Sequence, residues 1–343
     1  RPLEWVQFKS YCQNDVEAER AIDQKLCFLP VPEREWTLYD LDQAINDRGV
    51  GLDLDLAEAA MDLDAQQTKK LEARYHQLTG IDSPRKLQQL KDWLRQETGE
   101  EVKSITKANL DTLIEKYADY PEVAEALEIR QRMSRSSVAK YKAMLGLACE
   151  DRRARGLFRY YGAATGRWSG RGIQPQNLPR NYLADLDTAR ATIRQRDLDW
   201  MQMLYDDPSD VLSQCIRTAL VPAAGTLFAV ADYSAIEARI IAWLSGETWR
   251  LDVFRTHGKI YEASAAQMFK VPIESIGKGS DLRQRGKVAE LALGYQGSVG
   301  ALKQMGALKM GVPEDALQGL VDKWREANPR IVSLWYEVER AAR

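Results

Sequence analysis

The stretch Thr226-Leu227-Phe228-Ala229-Val230-Ala231-Asp232-Tyr233-Ser234-Ala235-Ile236-Glu237-Ala238-Arg239-Ile240-Ile241-Ala242-Trp243-Leu244 decides how the rest of the chain is read. Thr226 to Ala231 is a short apolar run of β-forming residues, which predicts a core strand ending at Asp232. Ile236, Ile240, Ile241 and Leu244 then recur at helical spacing, so a helix restarts just beyond it. A carboxylate delivered at the end of a core strand is well placed to hold a metal ion. Asp232 is equally a common turn residue. Glu237 has a local role of its own, because Ser234-x-x-Glu237 is a capping box that satisfies the first amides of a helix.

Downstream, Asp281 to Gly294 predicts a second helix of interest. Residues four apart advance by about 400°, so Arg283, Lys287, Leu291 and Tyr295 form a slowly drifting stripe about 18 Å long. On spacing alone, a Lys and an Arg four apart also describe an ordinary solvated face. Upstream, the periodicity breaks between Leu157 and Pro179 into an Arg-, Gly- and Gln-rich segment that is too polar for a core. Trp36 to Leu145 reads as a charged helical arm, with Ser83-Pro84 predicted to open one helix as N-cap and first residue. Residues 1–30 read as a helix bearing Tyr11 and Asp15 one turn apart, followed by the linker Leu29-Pro30-Val31-Pro32. The class is therefore α+β and mostly helical, in two or three domains, as 343 residues allow.

A formal charge of −2 gives no hint of a nucleic-acid partner, but its distribution does. Between Arg130 and Arg180 twelve basic residues (Arg130, Arg132, Arg135, Lys140, Lys142, Arg152, Arg153, Arg155, Arg159, Arg167, Arg171 and Arg180) face only Glu150 and Asp151. Such an excess suits a polyanion, and equally a pair of solvated helix faces. Cys12, Cys27, Cys149 and Cys215 are scattered, and with only His76 and His257 beside them no zinc set can be assembled. They are expected to be reduced, buried thiols of a cytoplasmic protein. No apolar run approaches a membrane span. Gly277-Lys278-Gly279-Ser280 lacks the phosphate-loop frame, and Gly294, Gly297 and Gly300 follow a helix, which excludes a dinucleotide fingerprint. The chain begins at Arg1 without Met and stops at Arg343 inside a helical pattern, so both ends are expected to be cut.

Asp232-Tyr233-Ser234-Ala235-Ile236-Glu237-Ala238-Arg239 resembles the DYSxIExR signature of the family A DNA polymerases, the bacterial polymerase I type, in a phage-like form. The stripe is similar to that family's R-x-x-x-K-x-x-x-(F/Y)-x-x-x-Y-G fingers helix. Thr165-Gly166-Arg167-Trp168-Ser169-Gly170-Arg171, with Gln174, Gln176, Asn177, Leu178 and Pro179, resembles its TGRLSS…LQNIP segment. Tyr11 to Asp15 matches the Y-x-x-x-D end of its 3′–5′ exonuclease. Two departures are Leu291, where the family has an aromatic residue, and Gln296-Gly297 after Tyr295.

The resemblance implies a right-hand polymerase: residues 1–30 the tail of an exonuclease domain, 31–145 the helical thumb and its connection, 146–245 the first half of the palm, and 246–343 the fingers. It implies nucleotidyl transfer from a dNTP to a primer 3′-OH with two Mg²⁺ ions, Asp232 and Tyr233 being metal ligands. Arg283 and Lys287 would serve catalysis by gripping phosphates. Tyr233, Ser234, Ile236, Glu237, Leu291 and Tyr295 would complete the nucleotide site, Glu237 blocking a ribose 2′-OH. Arg167, Gln174, Gln176, Asn177 and Arg239 would meet primer–template DNA, the first four in its minor groove. The family's H-D-E motif with the second catalytic carboxylate has no counterpart here, and Asp15 alone predicts no proofreading. The chain is thus expected either to need a C-terminal palm segment, in cis or on another chain, or to be a binding module inactive on its own. A single-subunit RNA polymerase is disfavoured by Glu237 and the Thr165–Arg171 segment.

Overall fold

The computed structural model describes residues 2–106, 109–134, 138–308 and 310–343. Arg135, counted above in the basic stretch, lies outside the described residues. The chain divides into two compact units, Arg1–Phe228 and Ala229–Arg343.

The first unit opens with α1 (Pro2–Leu26), whose described side chains are all exposed, and the linker through Pro30 and Pro32 leads to α2 (Glu33–Arg48). A strand follows that periodicity did not reveal, β1 (Val50–Leu52), because three residues are too few to show alternation. Asp53 then caps the 26-residue α3 (Leu54–Thr79), accepting from Leu56 N at 3.1 Å. This helix joins two cores. Leu56, Ala57, Ala60 and Leu63 on its first half pack into one, and Tyr75 on its last half packs into the other.

The second of these cores is completed by α4 (Leu87–Thr98), α5 (Leu110–Lys116) and α6 (Pro121–Met133), through Leu90, Leu94, Leu110, Ala126 and Leu127. Ser83-Pro84 does not open α4; the pair forms a turn in which Arg85 N and Lys86 N both point back to Ser83, and Lys86 is the N-cap. The first core is closed by α7 (Ala139–Leu147), by β2 (Arg153–Ala154), and beyond it by α8 (Leu186–Arg194), α9 (Leu198–Leu204), α10 (Pro208–Cys215) and β5 (Leu220–Val221). β1 is the central strand of an antiparallel β2-β1-β5 sheet, pairing Val50 with Ala154 and Gly51 with Val221. Between β2 and α8 runs a hairpin of β3 (Phe158–Arg159) and β4 (Ser169–Gly170).

The second unit is helical: α11 (Ile236–Ser245), α12 (Thr248–Thr256), α13 (Ile260–Phe269), α14 (Asp281–Leu293), α15 (Val299–Gln304), α16 (Leu317–Ala327) and α17 (Pro329–Ala342). Its core gathers Met268, Val288, Ala289, Leu293, Leu302, Leu320, Trp324 and Ile331. The strand expected over Thr226–Ala231 is not formed: the segment has no regular secondary structure and is unpaired, with Leu227 81% and Val230 92% exposed. A strand exists only through hydrogen bonds to a neighbour, and none of the described residues lines up beside this run.

Among the described residues no helix is long and apolar enough to cross a membrane. The expectation of buried thiols fails for three of the four cysteines: Cys215 is buried, while Cys12, Cys27 and Cys149 are exposed, the first two on or just after α1, which nothing described covers.

Candidate active site

In the first unit the polar segment is a pinned loop. Leu157, Ile173 and Leu178 are buried and anchor it, while Arg167, Gln176 and Asn177 stay exposed and Gln174 is half-buried. Asn46 on α2 grips the hairpin edge, its side-chain amide donating to Phe158 O at 3.0 Å and its carbonyl accepting from Phe158 N at 2.9 Å. Arg217 holds the far end through Pro179 O at 2.8 Å and Leu178 O at 2.6 Å. Gln174 has a left-handed backbone, φ 53°, and accepts from Asn177 Nδ2 at 3.2 Å, so two of the expected DNA-reading side chains are braced against each other. The Gln176 amide lies directly over Gly170, where a Cβ would have to push this exposed side chain aside. Trp168 packs edge-on against Tyr160, with ring centroids 5.7 Å apart, and Tyr160 donates to Glu35.

The basic stretch is not one surface. Arg130 donates to the Pro84 and Ile105 carbonyls, Arg152 pairs with Asp55 at 3.0 Å, Arg153 ties down the Arg48 and Gly49 carbonyls, and Arg155 bonds Asp151 and Asp47 O. The hydrogen bond from Arg155 holds the Asp151 carboxyl down to about 2. These arginines stitch loops together, so fewer cations face outward than the count suggests.

In the second unit Asp232 and Tyr233 lie exposed just ahead of α11. The expected capping box is absent: Ala235, at φ 50°, is the N-cap, without a side-chain hydrogen bond, and Ser234 instead offers its carbonyl to Arg239 Nε at 2.8 Å. The Arg239 guanidinium lies over the Phe254 ring, 4.5 Å from its centroid. Ile236 and Glu237 are exposed on the first turn of α11. Among the described residues no three His, Cys, Asp or Glu side chains come together to hold a metal. Paired Mg²⁺ ions need carboxylates that bridge them, and the described residues bring no such cluster together, so by themselves they do not fit a two-metal site.

Helix α14 carries Arg283, Lys287 and Leu291 as expected, capped by Ser280, whose hydroxyl accepts from Arg283 N at 3.3 Å. Tyr295 is not on it; the helix stops at Leu293 and Tyr295 sits in the following turn, 65% exposed. Arg283 Nε donates to Glu262 Oε1 at 2.7 Å, and the guanidinium stands 5.6 Å from the Tyr261 ring centroid. Neither Tyr261 nor Glu262 is marked by any spacing in the sequence, since both lie more than twenty positions before Arg283 and meet it only because α13 packs along α14. Also unforeseen is a buried ion pair between Arg250 and Glu290, with Glu290 accepting from Trp324 Nε1 at 2.9 Å and Arg250 donating to Asn328 Oδ1 at 2.9 Å. His257 is an exposed C-cap residue at the end of α12.

The model of DNA polymerase family A matches residues 55–343. The chain belongs to that family. It is 54% identical over 342 residues to the DNA polymerase of Bacillus phage SP02, an alignment covering 99% of this chain and 52% of the phage protein. It is 30% identical over 126 residues to the thermostable DNA polymerase I of Thermus aquaticus, across 37% of this chain and 14% of that one. Its fold is similar to the polymerase domain of Pol1 from M. smegmatis, solved in complex with DNA primer-template and dNTP, at a TM-score of 0.62 and 22% identity over 95% of this chain and 53% of that one. The chain thus spans about half the length of the family A phage polymerase. The mostly helical α+β class read from the sequence is the class found.

Proposed function

We propose that this chain is the primer–template- and nucleotide-handling part of a template-directed DNA polymerase of the bacterial or phage-infected cytoplasm, with 1–30 an exonuclease tail bearing Tyr11 and Asp15, 31–145 thumb, 146–245 half of the palm and 246–343 fingers. The observation that carries this reading is the state of α14. Lys287 has no ion-pair partner among the described residues, Arg283 engages Glu262 through Nε alone, and Leu291 is 48% exposed, so the stripe keeps cations and an apolar residue available along one side. A triphosphate on Arg283 and Lys287 would place its sugar toward Leu291 and its base toward Tyr295. Glu237 would then stand against a ribose 2′-OH, beside Ser234 and Ile236, and Arg167, Gln174, Gln176, Asn177 and Arg239 would meet the duplex.

Asp232 and the Tyr233 carbonyl would hold Mg²⁺ only together with a second carboxylate from a C-terminal palm segment, in cis or on another chain. The bared apolar run Leu227, Phe228 and Val230, which pairs with no strand among the described residues, supports this. Two Mg²⁺ ions, when bound, would supply charge neutralisation for nucleotidyl transfer. That no metal-holding cluster forms among the described residues also favours a second reading, in which the chain by itself binds primer–template without extending it.

The test is titration of the chain with dATP and with primer–template. Arg283→Ala and Lys287→Ala are each expected to weaken dATP binding roughly ten- to a hundredfold, the loss of one charged hydrogen-bonding group, while duplex affinity holds. Equal dATP affinity in both variants would show α14 to be a plain solvated face. Extension should be nearly absent for the chain alone and recover when the palm segment is added.

A further inference from the structure

Arg283 is fixed from two sides by the start of α13. Its Nε is tied to Glu262 Oε1, and its guanidinium lies over Tyr261. The two helices can come this close because residue 286 is glycine: a Cβ there would collide with Tyr261 O and stand 3.0 Å from Ala265 Cβ. Glu262 is 12% exposed in its side chain and Arg283 26%, so the carboxylate forms the floor and the guanidinium the open face. No hydrogen bond within the described residues uses Nη1 or Nη2 of Arg283, and neither is a buried orphan. Burial raises the Glu262 pKa, but the hydrogen bond and charge of Arg283, joined by the charge of Lys259, outweigh it and hold the carboxyl below its ordinary range.

We propose that Glu262 is a positioning residue for nucleotide binding: by holding Arg283 Nε above Tyr261, it presents both Nη groups, already oriented, to an incoming triphosphate. This rests on the reading of Arg283 as a phosphate-gripping residue. A flexible arginine must be ordered when it binds, and one ordered beforehand avoids that cost. Glu262 also acts in the opposite sense, because its negative charge repels the triphosphate. A single deletion would mix the two effects, so the experiment has to separate them.

Glu262→Gln removes the charge and keeps an oxygen that accepts from Nε, whereas Glu262→Ala removes both. Binding of Mg²⁺-dATP and of tripolyphosphate is measured for the chain and these variants, with thermal melting as a check on folding. Glu262→Gln is expected to bind both probes as tightly as the parent or more tightly. Glu262→Ala should bind both about three- to tenfold more weakly than Glu262→Gln. In an Arg283→Ala background that difference should vanish. If Glu262→Ala does not fold, Glu262→Leu takes its place in the same comparison. Equal affinities for the Gln and Ala (or Leu) variants would overturn the positioning role, as would a difference that persists without Arg283. Failure of the underlying reading looks different: Arg283→Ala alone would then leave the affinity for both probes unchanged.

Discussion

Cys215 ends α10 with its thiol sealed in the first core, and burial pushes its pKa up to about 11. The thiolate is the nucleophile, so a raised pKa leaves almost none of it at pH 8. Brief iodoacetamide treatment at that pH should label Cys12, Cys27 and Cys149 and spare Cys215, as read by peptide mass spectrometry; equal labelling of all four would contradict the packing around α10. Gly286 offers a second test. Gly286→Ala drives a methyl against the Tyr261 carbonyl, and overpacking of this kind costs about 1–3 kcal/mol, more than alanine's better helix propensity returns. Urea unfolding should show the loss, and triphosphate binding should weaken with it if α13 sets the position of Arg283. At this scale the sequence was legible wherever a role depends on residue type and spacing, as for Arg283 and Lys287 on α14. It was illegible for Glu262, whose role arises from which helix lies alongside.

Helix α14 is locked into its unit by Glu290. That carboxylate is 3% exposed, pairs with Arg250 at 1% exposed, and accepts from Trp324; Arg250 also lies over the Trp249 and Trp324 rings. A buried pair adds little over a well-packed apolar substitute, but breaking one strands a charge. Glu290→Gln should therefore cost about 3–5 kcal/mol in denaturant unfolding. The paired change Arg250→Met with Glu290→Leu should recover much of that loss, and no recovery would mean the network sets more than charge balance. The helices themselves were readable because one apolar face repeats with the helical period. Strands were not: β1 is three residues long, and Thr226–Ala231 has every intrinsic mark of a strand yet stays unpaired. Pairing is a property of two segments, and one segment's composition cannot supply it.

For the molecule as a whole, the expected partner is a polyanion, and the number of cations left for it decides the salt dependence. Since Arg130, Arg152, Arg153 and Arg155 serve internal contacts, roughly four to six phosphates are a reasonable load for what remains. Primer–template affinity should then fall about a hundred- to a thousandfold between 50 and 200 mM salt. A fall below about tenfold would show that the outward-facing arginines of the hairpin segment do not meet the duplex.

By itself the sequence determined the helical class, the exposed polar loop from Leu157 to Pro179, and the alignment of Arg283, Lys287 and Leu291, because each follows from local periodicity or from a motif of fixed residues. It also displayed Asp232 without any means of giving it company. Tertiary structure alone decided that four arginines of the basic stretch are internal bracing and that Tyr295 leaves its helix. It alone decided that Arg250 and Glu290 meet in a core, and that Arg283 rests on Glu262 and Tyr261. Each of these depends on which residues, distant in the chain, fill the space beside a charge, and a charge taken out of water must find its partner wherever the packing of helices brings one.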